Sequence, residues 1–143
     1  MNNKKTKATN PKDSLGIRKV PIHVIPMPVL AEVGLAMLEG ARKYGAHNYR
    51  DAGARVSVYI DAVWRHLFLQ FWEGEDVDKD SGVHHVSKAI ACLCVLRDSM
   101  LSNNWVDDRP IRYDVDIEKF NKQASDIIER YPDYKEPFTE VSK

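Results

Sequence analysis

SVYIDAVWRHLFLQFWE, residues 57–73, carries eleven apolar side chains among its 17 positions. They occur all round a helical wheel, so a helix here needs cover on most sides, either at the centre of a bundle or at a subunit interface. Its polar residues fall on two narrow stripes at about 100° per residue: Ser57, Asp61 and Arg65 on one, His66, Gln70 and Glu73 on the other. Unpaired buried charge is costly, so both stripes predict polar partners. Asp61 is the expected intramolecular partner of Arg65, one turn away, and Ser57 the expected N-cap.

Two further long helices flank this one. Upstream, PVLAEVGLAMLEGARKY (28–44) places Val29, Leu30, Val33, Met37 and Leu38 near helical spacing, with Pro28 suited to the first turn and Gly45 to the stop. Downstream, VHHVSKAIACLCVLRDSML (83–101) reads as the third helix, with Asp80 or Ser81 available to cap it. AHNYRDAGARV (46–56) reads as a loop and GEDVDKDSG (74–82) as a turn. A short amphipathic helix is expected at 116–131, with Ile117, Phe120, Ala124, Ile127, Ile128 and Tyr131 on one face.

Before all of these, residues 1–14 are too polar to bury and are expected to be a disordered basic tail. Residues 15–28 mix apolar side chains with three prolines, which predicts an extended arm laid on the core. The architecture expected is all-α: a small bundle of three main helices plus a C-terminal helix. Its spans are a tail (1–14), a helical domain (15–105) and a C-terminal connector with a helix (106–143).

The 143 residues and 43% hydrophobic content suit one compact domain with a real core. No run of about 18 apolar residues is present, so no membrane span is expected, and the Lys- and Asn-rich start predicts no secretory signal peptide. Cys92 and Cys94 are too close on a helix to bridge each other, which points to the reducing cytoplasm. The 21 basic and 21 acidic residues balance, but residues 1–27 hold six bases and one acid, while residues 28–105 hold eight bases and ten acids. A neutral whole with an acidic centre argues against a dedicated nucleic-acid binder.

Three clusters carry chemistry. Five acids crowd residues 73–80: Glu73, Glu75, Asp76, Asp78 and Asp80. Such a cluster repels itself unless it holds a cation or is solvated, so a hard-cation site and a plain acidic turn both fit. A calcium loop starting at Asp76 fails, because its sixth position is Ser81 and its twelfth is Ser87. Histidines form the second cluster, with His66 on the apolar helix and His84 and His85 opening the next. A hairpin would bring His66, Glu73 and His85 near the acidic turn, whereas the plainer alternative is a helix-capping or hydrogen-bonded core histidine. The third cluster is basic and polar: Arg42, Lys43, Tyr44, His47, Asn48, Arg50 and Arg55, with Arg65 on the apolar helix. Guanidinium groups suit phosphate, and Tyr44 or Tyr49 suits stacking on a base.

Taken together, KYGAHNYR (43–50) and YIDAVWRHLFLQFWEGEDVDKDSGVHHVSKA (59–89) resemble the dATP/dGTP diphosphohydrolase N-terminal domain family, common in phage genomes. The likeness runs from about Val20 to Ser99 and rests on Lys43-Tyr44-Gly45, Asn48, Asp61-Ala62, Arg65-His66, Gly74-Glu75-Asp76, Asp78, Ser81-Gly82 and His85. It implies an all-α nucleotide-binding domain similar to the MazG-like pyrophosphohydrolases, which use Mg²⁺ (or Mn²⁺) to cleave a nucleoside triphosphate to monophosphate and pyrophosphate. On that likeness Glu73, Glu75, Asp76 and Asp78 would hold metal, and His66 and His85 would be ligands or proton carriers alongside the catalytic acids Glu73, Glu75 and Asp76. Lys43, Tyr44, Asn48, Arg50 and Arg65 would contact a purine deoxynucleotide. Glu32 and Glu39, seven apart on the first helix, are secondary candidates. The expected setting is phage nucleotide metabolism in the host cytoplasm, as a homo-oligomer. The alternative is a protein that binds a nucleotide or signalling nucleotide without turning it over, or an assembly module.

Overall fold

The fold is described from a computed structural model, covering residues 10–142. The chain divides after Arg109 into two compact units. The first is built on three helices, α2 (Met27–Tyr44), α4 (Val56–Trp64) and α5 (His85–Leu101). Two shorter helices, α1 (Pro11–Gly16) and α3 (Asn48–Ala52), lie between or before them. The expected all-α bundle is therefore present.

α5 is the hub, packed against α2, α3 and α4. Small side chains let these helices close. Val33, Ala36, Val83 and Ala91 form one core cluster, backed by Met37 and Ile90. Ala54, Val56 and Leu96 form a second, backed by Tyr59, Ile60, Met100 and Trp105.

α4 does not stop at Trp64. It continues as π-helical turns over Arg65–Phe71, where hydrogen bonds reach five residues back, as from the Trp72 amide to the Leu67 carbonyl at 2.9 Å. Its start also differs from the sequence expectation. Ser57 is not the N-cap, because Arg55 holds that place in extended conformation. Ala54–Arg55 (β1) pairs in parallel with Trp105–Val106 (β2), a two-residue ladder inside the stretch expected to be loop. Asp108 then does the capping: its carboxylate accepts the Ser57 amide at 2.9 Å and the Ser57 hydroxyl at 2.5 Å.

The start of α5 is corrected in the same way. His84, rather than Asp80 or Ser81, is the cap, and its Nδ1 accepts the Val86 amide at 3.1 Å. Asp78 and Ser81 are spent within the turn, on the amides of Asp80 and Val83. A β-bridge between Val77 and His84 draws His84 into the extended geometry a cap needs.

The N-terminal expectations change most. Residues 1–9 of the expected disordered tail lie outside the described residues, but Asn10 caps α1 by accepting the Lys12 amide at 3.0 Å. The arm is not extended throughout, since Ile22–Val24 forms a 3₁₀ turn. Nor is it laid on a core: Leu15, Ile17 and Val20 are exposed. Along α4, its π-helical continuation and the residue that caps it, Trp64, Phe68, Leu69 and Trp72 are 50–77% exposed, so the described residues of the first unit do not supply the cover this helix calls for. Cys92 and Cys94 are both free thiols.

The second unit contains α6 (Ile117–Arg130), whose N-cap Asp116 accepts the Lys119 amide at 3.1 Å. None of its residues is buried. Among the described residues no helix is long and apolar enough to cross a membrane.

Candidate functional site

α2, α4 and α5 enclose a cavity of about 360 Å³. Its rim depends on how α2 ends. Gly45 adopts a φ of 92°, open to glycine at little cost, and its amide closes the helix on the Ala41 carbonyl at 2.9 Å. The chain then turns through His47, in left-handed geometry, into α3.

That turn is pinned from outside the cavity. The Arg50 guanidinium grips both oxygens of Asp98 on α5, at 3.0 and 2.9 Å. The Asn104 amide donates to the carbonyls of Arg50 and Asp51, at 2.9 and 3.1 Å. Gly53 permits this approach, since a Cβ there would sit 2.8 Å from the Asn104 side chain.

The cavity wall is cationic and aromatic over an apolar floor of Ala36, Ala62, Ala91 and Val95. Lys43 stands at the end of α2, Arg65 at the start of the π-helical turns and Lys88 on α5. Tyr44, Tyr49 and Tyr59 supply rings and Asn48 an amide. The expected Asp61–Arg65 ion pair does not form among the described residues; Arg65 lines the cavity instead.

Glu39 and Lys88 join in an ion network at this wall. Lys88 Nζ lies 2.9 Å from Glu39 Oε2, is hydrogen-bonded to Asp78, and sits 3.4 Å from Ser81 Oγ. Lys43 Nζ lies 2.5 Å from Glu39 Oε1. The Lys88 hydrogen bond holds the Asp78 carboxyl down at about 2 against the opposing effect of burial. The Lys43 hydrogen bond, with Lys88 behind it, lowers Glu39 as well. Burial pulls the Lys88 ammonium down, but its bonds to Asp78 and Glu39 outweigh this and raise it above the ordinary lysine value.

A second chain of contacts leads inward from the acidic turn. Glu75 Oε1 lies 3.2 Å from His85 Nε2, and His85 Nδ1 lies 3.0 Å from His66 Nδ1. His85 is wholly buried, while His66 lines the cavity. Burial lowers the His66 pKa, and the nearby positive charge of Lys88 lowers it further.

Five of the expected substrate and catalytic residues thus share the cavity wall: Lys43, Tyr44, Asn48, Arg65 and His66. Arg50 does not; its guanidinium is committed to Asp98. Glu75, Asp78 and His85 stand behind the wall, each with a side-chain partner. Glu73 and Asp76 are exposed and their carboxylates have no ion pair or hydrogen bond among the described residues, although the Asp76 carbonyl accepts the His85 amide at 2.9 Å. Glu32, the other secondary candidate, accepts the Ser87 hydroxyl at 2.6 Å.

The four expected metal carboxylates, Glu73, Glu75, Asp76 and Asp78, are therefore not brought together. Among the described residues no three His, Cys, Asp or Glu side chains converge as a metal site requires. The donors present do not fit a resident divalent ion. Two polar wall residues, Lys88 and Tyr59, are not among the site candidates of the sequence. Lys88 carries a findable signal, lying three residues after His85 on the same helix face.

Comparison with known proteins gives one finding. The family model described as dATP/dGTP diphosphohydrolase, N-terminal, matches residues 9–109. No curated protein and no solved structure matches the chain.

Proposed function

The chain belongs to the dATP/dGTP diphosphohydrolase N-terminal family, and from that premise we propose that the cavity binds a purine deoxynucleoside triphosphate and cleaves it to monophosphate and pyrophosphate. The observation that carries this reading is His66: an imidazole in the wall of a cationic cavity, held from behind by a wholly buried histidine at 3.0 Å.

The hydrogen bonds imply a tautomer. A Glu75 carboxylate accepts from His85 Nε2–H, and in a neutral His85 ring Nδ1 is then the acceptor. His66 Nδ1 must then donate to His85, which leaves His66 Nε2 as a base. Its lowered pKa keeps that nitrogen unprotonated at neutral pH. In the proposed step, water adds to the α phosphorus, the bridging oxygen leaves with pyrophosphate, and the water's proton passes to His66. Arg65 faces the polyphosphate and offsets the charge that develops on it, with Lys43, which also bonds Glu39, beside it at the wall. Tyr44 and Tyr49 provide faces for the purine. His85 and Glu75 are positioning residues that fix the His66 ring.

Magnesium or manganese belongs to this reading as part of the substrate, entering as the metal–triphosphate complex. The setting proposed is phage-directed nucleotide metabolism in the host cytoplasm. A homo-oligomer is proposed too, supported by the exposed Trp64, Phe68, Leu69 and Trp72; a monodisperse monomer in light scattering would contradict it.

The deciding experiment incubates the purified chain with Mg²⁺ and a panel of NTPs and dNTPs and measures monophosphate and pyrophosphate. Turnover of dATP or dGTP that His66→Gln removes supports the hydrolase. Tight nucleotide binding without product supports the second reading, a nucleotide-binding protein, which the scattered acids of residues 73–80 favour.

A further inference from the structure

Two carboxylates meet at one point beside the cavity, Glu39 from α2 and Asp78 from the turn before α5, and the Lys88 ammonium lies between them. We propose that Lys88 is the resident cation of this site, standing where a divalent ion would otherwise sit, so that the nucleotide-free protein holds no metal there.

Position supports this first. Lys88 Nζ bonds Glu39 Oε2 at 2.9 Å and Asp78 Oδ2, with Ser81 Oγ at 3.4 Å. Two carboxylate oxygens and a hydroxyl around one point are the ligands a hard cation takes, but here they serve three ammonium donors. All three charged groups are shielded, with side-chain exposures of 13% for Lys88, 19% for Glu39 and 17% for Asp78.

Charge supports it independently. With Lys43 on the other oxygen of Glu39, two carboxylates face two ammonium groups and the cluster is already neutral. A divalent ion entering would leave an excess of two positive charges in a shielded place, or would have to expel the Lys88 head group from three partners. The one other inward carboxylate of the turn, Glu75, is engaged by His85.

The test is a manganese titration of the full nucleotide-free chain, followed by the electron paramagnetic resonance signal of free Mn²⁺. Wild type is expected to show no stoichiometric site. Lys88→Met, its fold checked by circular dichroism, is expected to bind Mn²⁺ at least about tenfold more tightly than wild type, and adding Asp78→Asn should remove the gain. One Mn²⁺ bound per wild-type chain and lost in Asp78→Asn would overturn the proposal, as would a folded Lys88→Met that binds no better than wild type. Should that variant not fold, Lys88→Gln replaces it, and the wild-type titration decides in either case. A chain that bound no nucleotide would defeat the functional reading and leave this result standing.

Discussion

The acidic turn and the cavity wall both gather charge, yet they end in opposite states. Of the five carboxylates along residues 73–80, two turn inward, Glu75 to His85 and Asp78 to Lys88, while Glu73, Asp76 and Asp80 are exposed. At the wall, Lys43, Arg65 and Lys88 arrive from three different helices and face one space. Closeness along the chain is therefore a poor guide to convergence. Adjacent residues in a turn point apart, whereas residues on separate helices meet when packing brings one face of each together.

Substitutions on its two sides test the contrast. The largest effect is expected at the wall. His66→Gln should lower kcat by about 10²- to 10⁴-fold without unfolding the chain, measured by steady-state hydrolysis of dATP or dGTP. In the wild type, activity should be retained as pH falls to the ordinary histidine value of 6.5 and decline only below it, because the His66 pKa is lowered and the base is lost only when that nitrogen protonates. A decline already centred above 6.5 would exclude His66 as the base.

Next is stability. Lys88→Met leaves Glu39 and Asp78 facing each other, and should cost about 2 kcal/mol in urea unfolding, less than a fully buried pair because water still reaches the site. The pH dependence has a definite sign. Asp78 has its carboxyl lowered from 3.8 to about 2 in the fold, so its contribution is present above 3.8 and is lost as pH falls towards 2. Asp78→Asn should flatten the acid limb of a stability–pH curve in that window. Comparable in size, Gly53→Ala should cost about 1–3 kcal/mol, since it strains a positive φ and presses on Asn104. Smallest of all, Glu73→Gln and Asp76→Asn should change kcat/KM by less than about twofold, in keeping with surface positions. A large loss from either would put the acidic turn back at the centre of the chemistry.

Much of this was legible in advance. Helical periodicity and Pro28 and Gly45 place α2 to within a residue, and a basic, polar run near a helix end pointed to Lys43, Tyr44 and Asn48. Arg65 and His66 stood out because polar groups inside an apolar helix need partners. What remained hidden was tertiary. Asp108 caps α4 from 51 residues away, and no local pattern announces it. Lys88 reads as an ordinary solvated lysine until α2 and the turn close around it. Arg50 had the right chemistry for phosphate but met Asp98 first. The cap of α5 fell to His84 because the bridge with Val77 set its backbone.

The π-helical turns over Arg65–Phe71 give this helix an odd residue relative to a plain α-helical ladder. The wide turns take that residue up by reaching one position further back, so the side chains beyond keep close to the facing a plain ladder would give them. The stretch thus lengthens the path between His66 and Glu75 by one residue without turning Glu75 away from His85.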